Sequence, residues 1–275
     1  MTDLHYEFTG KTKRVGGVTL HRIRATRDLP NFGVKSGDEG GWIEHTGNLS
    51  GEAWVADEAQ VSGGAEVYGN AWVLGEARVS SRAKVFGHAE VFGNARVYRG
   101  AMVYDNALVC GNALVCGDAK VYGNALVYGN ALVYDYVCVS SYAKVFDNAK
   151  VCGNAQVYGD TWVYDNAKVS GYTKVSGNAR VYKDARIESS ADYFQAVTYT
   201  SGRLLLTLTR QKAGKHLIRM GCWEGSIDEL ETLIKRDKWV ETSGDDANKA
   251  RPEMLALCQM LRARIERWEA RVSKI

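Results

Sequence analysis

Proline is nearly absent: the 275-residue chain has two, Pro30 and Pro252, and both lie outside its most regular stretch. Turns within that stretch must be made by Gly, Asn and Asp, which tolerate positive φ. Cysteine is sparse too. The six at positions 110, 116, 138, 152, 222 and 258 form no CxxC pair and no framework spacing, which argues against a disulfide scaffold. Long apolar runs are missing; Leu204-Leu205-Leu206 falls far short of the roughly 20 residues that a membrane span needs. No secretory h-region stands at the N-terminus, so a reducing cytoplasm is the expected setting. Charge of one sign does not dominate either. A formal net charge of +3 with 24% charged residues describes neither a polyanion mimic nor a strongly basic nucleic-acid binder.

What is present is a period. Alanine recurs every six residues from Ala53 to Ala191, replaced only at Val137, Thr161 and Thr173. Two residues after each comes valine, unbroken from Val55 to Val181 and followed by Ile187 and Tyr193; Ile43 and Leu49 keep the same phase upstream. Residues two apart on a strand share a face, so the Ala/Val side points inward and the residues flanking Val point outward. The next two positions are mostly Gly or Asp followed by Asn or Asp, as in Gly69-Asn70 and Asp165-Asn166. Each hexad therefore reads as a short strand and a corner. An interior of Ala and Val alone is narrow and suits a triangular coil of three hexads. Residues 41–193 then make about eight coils, and at ~4.8 Å per coil a rod of roughly 40 Å.

Residues 1–40 read as an N-terminal β cap and 194–275 as a C-terminal α+β module. The cap carries the strand Val18-Thr19-Leu20-His21-Arg22-Ile23-Arg24 and leads through Gly40-Gly41-Trp42-Ile43-Glu44 into the first coil. Solenoids need such atypical ends because the last coil otherwise exposes strand edges. In the C-terminal module, alternating stretches at about 193–200, 203–210 and 215–222 predict a small antiparallel sheet with turns at Gly202 and Ala213-Gly214. Ser226-Ile227-Asp228-Glu229 is a capping box, predicting a helix to about Trp239; a second helix is expected to begin near Pro252. On it Met254, Leu257, Leu261, Ile265, Trp268 and Val272 form one apolar stripe, to be buried within the module or against a second copy.

Runs such as Val121-Tyr122-Gly123-Asn124-Ala125-Leu126 resemble the hexapeptide repeat of left-handed parallel β-helices. In style they are similar to YdcK-like proteins and to bacteriophage or prophage proteins of unassigned function, as are the Thr19–Ala25 strand and the Gly40-Gly41-Trp42-Ile43-Glu44 segment. The resemblance covers the whole repeat and implies a left-handed coil, against the right-handed preference of parallel crossovers. The expected fold is thus mainly β: a single-stranded left-handed parallel β-helix with an N-terminal β cap and a C-terminal module of a small sheet and two helices. Phage kinship would imply a host-cytoplasmic inhibitor of a host factor.

Left-handed hexapeptide β-helices are best known as acyltransferases, so the resemblance also implies an enzymatic alternative with an acyl-CoA donor such as acetyl-CoA. Only His88 of the five histidines lies on the repeat, at a corner otherwise held by Asn, and it would be the base. The coils carry no interrupting loop to shelter a reaction, however, and no His, Cys, Asp or Glu grouping has metal-ligand spacing. Neither cofactor nor metal is expected on the leading reading.

That reading is a non-catalytic interaction or scaffold protein whose function lies on outward positions. Stepping by 18 sorts these into three faces. The first presents Trp54, Trp72, Leu108, Leu126 and Trp162 before Val, and Phe92, Tyr128, Phe146, Tyr164 and Tyr182 after it. These ten residues are the candidate binding surface, read as a nearly continuous aromatic ladder. The second carries Arg78, Arg96, Lys150, Lys168 and Arg186 and reads as largely solvated; the third is mixed. Apolar residues in the middle coils, among them Met102, Leu114 and Leu132, point to a homo-oligomer through the outer face or the final helix. A host protein is a further candidate partner; nucleic acid and membrane are not expected.

Overall fold

The computed structural model describes residues 4–199, 203–236 and 245–272. Its body is a parallel β-solenoid of about eight coils. Two-residue strands recur every six positions from Trp54–Val55 to Arg186–Ile187, and each pairs in parallel with the strand 18 residues on. The three faces are sheets of eight, eleven and seven strands. Every repeat Ala from Ala53 to Ala185 and every repeat Val is fully buried. The two threonines that replace Ala satisfy their buried hydroxyls locally: Thr161 donates to the Tyr158 carbonyl at 2.8 Å and Thr173 to that of Ser170 at 2.7 Å.

The ladder continues around the corners, where for example the Asn70 N–H donates to the Gly87 carbonyl. The first residue of each corner has positive φ, from 51° at Asp57 to 74° at Gly159. Glycine relieves two constraints there. A Cβ on Gly129 would sit 2.8 Å from the Asp147 nitrogen of the next coil, and an L-residue in the left-handed region is strained. Aspartate meets the strain differently, its carboxylate accepting the N–H of the corner above: Asp57 from Gly75, Asp105 from Gly123, Asp135 from Gly153 and Asp165 from Lys183, at 3.0–3.1 Å. This exchange explains why the first corner position alternates between Gly and Asp.

The N-terminal cap is stitched to the second face. Tyr6–Val15 and Val18–Ala25 pair antiparallel, and Val18–Ala25 pairs with Glu39–Ile43, which pairs in parallel with Gln60–Val61. Glu39–Ile43 crosses close over the first coil. A Cβ on Gly40 would lie 2.6 Å from Trp54 Cζ2, and one on Gly41 2.6 Å from Val55 Cγ1. The Gly40-Gly41 pair is what lets this strand approach.

The C-terminal module has an antiparallel sheet of Tyr193–Tyr199, Arg203–Arg210, His216–Met220 and Trp223–Gly225, then helices α1 (Ile227–Lys235) and α2 (Asp245–Val272). The Ser226–Glu229 capping box is present. The turn at Ala213-Gly214 has positive φ at both residues; Gly202 lies outside the described residues. Two helix boundaries differ from expectation. The first helix ends at Lys235, and 237–244 lie outside the described residues. The second starts at Asp245, seven residues before the anticipated Pro252, which sits inside it. Proline inside a helix removes one backbone hydrogen bond, and the long segment on its C-terminal side, packed in the module's core, carries the helix through it. Met254, Leu261, Ile265 and Trp268 of the stripe are buried in the module's own core. The side chain of Val272 is outside the described set. The stripe is thus covered within the chain.

Candidate interaction surface

The sorting into faces holds, since the first face's sheet contains Trp54, Trp72, Leu108, Leu126 and Trp162 in successive register. The ten candidate residues nevertheless do not form one open surface. Trp54 is 1% exposed, covered by the crossing strand at Gly40 and by His5, whose ring lies 6.2 Å away. Phe32 of the cap packs edge-on against Trp72 at 5.6 Å. At the other end Tyr182 is buried at 5%. Its hydroxyl donates to Glu224, and Arg219 lies over its ring while also reaching the Tyr164 hydroxyl at 3.3 Å. Burial and the Glu224 carboxylate together raise the Tyr182 pKa. Both ends of the face are therefore occupied by the chain's own caps, contacts between residues remote in sequence.

Between them Phe92, Leu108, Leu126, Tyr128, Phe146, Trp162 and Tyr164 are half-buried. Trp162 is flanked in its column by two cations, Lys144 at 4.8 Å and Arg180 at 4.0 Å from the ring centroid. Such contacts contribute about 0.5–1 kcal/mol each at an exposed site. The ladder expected on the first face narrows to a stack of four rings, and a second stack stands on the third face. Tyr128, Phe146, Tyr164 and Tyr182 stack on the first face at 4.8–5.1 Å. Tyr68, Phe86, Tyr104 and Tyr122 stack on the third at 4.8–4.9 Å. The coil rise sets this spacing, and a large part of the aromatic content thereby stabilises the rod itself.

The second face is less solvated than its charges suggest. Cys116 and Cys152, on outward positions after Val, are each 7% exposed, in a column that alternates with Tyr98 and Tyr134. Cys110 stands on a different sheet, and all six thiols are free. Hydrogen bonding to Cys152 pushes the Tyr134 hydroxyl up to about 12, and Cys116 raises that of Tyr98 in the same way. Met102, Leu114 and Leu132 are half-buried.

The most exposed rings lie where sorting by the flanks of Val did not look. Tyr136, Tyr142 and Tyr172 are 64%, 60% and 83% exposed, and Tyr158 is 38% exposed. The first three occupy the second corner position, usually Asn or Asp, so their rings project from the edges of the third face. Tyr136 and Tyr172 share one edge two coils apart, with Asn154 between them. Tyr142 stands on the opposite edge, and Tyr158 lies on the face. A tyrosine in a corner column of short polar residues is the signal in the sequence that marks this patch.

His88 is exposed at its corner, its backbone N–H bonded to the Asp105 carbonyl at 2.7 Å. Among the described residues no group of three or more His, Cys, Asp or Glu is placed to hold a metal ion. No described helix is long and apolar enough to cross a membrane.

In comparisons with known proteins, the family model described as YdcK Beta solenoid repeat matches residues 119–135. That segment lies in the middle coils, and the resemblance to YdcK-like repeats stands on it together with the eight-coil solenoid. No curated protein matches the chain.

Proposed function

We propose that this chain is a non-catalytic interaction protein, a rigid rod that self-associates through the upper third face. The exposed tyrosine patch carries the reading. Four rings held on a stiff backbone, interspersed with Ser140, Ser141 and Asn154, offer broad amphipathic contact at little cost in side-chain entropy, as in binding surfaces rich in Tyr, Ser and Asn. With the α2 stripe spent inside the C-terminal module, the outer surface of the rod is the place left for a second copy.

Light scattering at micromolar concentration tests the idea. An oligomer that Tyr136→Ser combined with Tyr172→Ser converts to monomer supports it; a strictly monomeric parent protein removes self-association. The enzymatic alternative assigns His88 as base and an acyl-CoA as donor. Saturable acetyl-CoA binding that His88→Ala abolishes would put acyl transfer in place of the scaffold.

A further inference from the structure

A second feature, in the lower coils, points to a ligand. Arg78 and Arg96 stand directly opposite each other on adjacent strands of the second face. On the edge beside them, the Arg82 N–H donates to the Arg99 carbonyl at 2.8 Å. All four side chains are exposed, and none joins an ion pair among the described residues. Like charges stacked directly across a sheet are destabilising. On the third face Lys84 is paired with Glu66 at 3.1 Å, and higher on the second face Lys150, Lys168 and Arg186 form a like-charged column of their own.

Arg99 is placed against a backbone constraint as well. Its φ is +64°, at a corner position that every other coil of this edge gives to Gly, Ser or Asp. It has no short side-chain acceptor with which to compensate as the aspartates do. Its guanidinium lies 5.9 Å from the Tyr98 ring centroid, and Ser80 lies between the two arginine columns. The edge forms an open groove of about 350 Å³, which runs from Arg82 and Arg99 past Gly100 and Asp118 to Asp135 and Tyr136, at the lower end of the tyrosine patch.

We propose that Arg78, Arg82, Arg96 and Arg99 bind a phosphorylated side chain of a partner protein. Four guanidiniums within two coils, two on the face and two on its edge, suit a dianion, and the planar guanidinium fork matches phosphate oxygens in bidentate fashion. A nucleic-acid backbone fits less well. It would have to run along the rod, and Asp118 and Asp135 stand in the groove one and two coils above Arg99. The site is short and bounded, as recognition of a single phosphate group requires.

Calorimetric titration with a short phosphoserine peptide, its serine and aspartate counterparts, inorganic phosphate and oligothymidylate tests the proposal. The phosphopeptide should bind at least tenfold more tightly than the serine peptide. Arg78→Gln with Arg96→Gln should abolish that preference, while Lys150→Gln with Lys168→Gln, the same change in charge on the same face, should keep it. Arg96→Lys should weaken binding several-fold through loss of the fork alone. In the absence of ligand the double arginine variant should melt at a higher temperature, since a repulsive stack has been removed; a lower melting temperature would show the arginines to be structural and overturn the site. Equal weakening by both double variants, or oligothymidylate binding that outcompetes the phosphopeptide and grows with length, would overturn it too. Binding of inorganic phosphate alone, with no preference for the phosphopeptide, would reduce it to general anion attraction.

Discussion

The two ends of the rod are closed by the same local device built from different chemistry. At the start, residues 46–48 form a 3-10 turn in which the Asn48 side-chain oxygen Oδ1 accepts the N–H groups of Glu44 and His45, at 3.1 and 3.0 Å. At the finish, residues 190–192 repeat the turn, and an Asp192 carboxylate oxygen accepts those of Glu188 and Ser189 at 3.0 and 2.9 Å. Both side chains are buried. They differ in what lies on the other side. The Asn48 amide donates onward to the carbonyls of Gly63 and Ala65 in the next coil. Asp192 has no further coil above it and meets Arg210 of the C-terminal sheet at 3.2 Å. A neutral amide suits an end that faces more of the same rod. A carboxylate suits an end that must grip a foreign module, whose Trp268 Nε1 also donates to the Ala191 carbonyl at 2.8 Å.

Exchanging the two chemistries should have the largest effect. Asn48→Asp would aim carboxylate oxygens at two carbonyls with no cation to compensate, costing about 3–5 kcal/mol by the penalty for an unpaired buried charge; urea unfolding should show the loss, and an unchanged midpoint would disprove the donor role of Asn48. Asp192→Ala comes next at about 3 kcal/mol, because it strands two backbone donors and leaves Arg210 paired with Glu188 alone. Asp192→Asn keeps an acceptor for the turn and removes only the charge pairing, for about 1–2 kcal/mol. The Asp192→Asn loss measures the grip on the module, and the gap between the two Asp192 variants measures closure of the turn.

Acidification should give the smallest difference, and it separates the ends by mechanism. Burial lowers the pKa of both His5, in the N-terminal cap, and His216, in the C-terminal module, below the usual 6.5. The folded chain therefore binds fewer protons than the unfolded chain in that range. Stability from these groups is complete above pH 6.5 and declines as pH falls below it. His5 Nε2 lies 2.8 Å from the Ala53 carbonyl, a contact an imidazolium can retain. His216 Nε2 accepts the Ile227 N–H at the start of α1 at 3.0 Å, and protonation there removes the acceptor. Hydrogen exchange between pH 7 and 5 should show α1 losing protection before the first coil; the reverse order would contradict this assignment.

The rod was legible because one core position recurs with one chemistry, so each Val55-to-Val181 step restates the same geometry. The faces were legible by arithmetic for the same reason. What escaped reading depends on contacts with no period. Trp54 belongs to an outward column by its phase, and only the crossing of Gly40 buries it. Tyr182 is likewise taken by Arg219 and Glu224. The start of α2 was misplaced because Pro252 is an equally good first-turn residue and a tolerated interior one. Corner tyrosines such as Tyr172 were visible in the sequence, but reading only the flanks of Val passed over them.

The three-hexad coil also makes length and direction separate variables. Removing 18 residues from the repeat shortens the rod by one coil and leaves every remaining column in phase. Removing six leaves an equally well filled Ala/Val interior yet turns everything above the cut by a third of a revolution. Arg219 and Glu224 would then be carried to another side of the rod relative to the cap. The core is indifferent to which face is which; only the surface columns record orientation, so deletions in this chain are quantised in coils at the surface and in hexads in the interior.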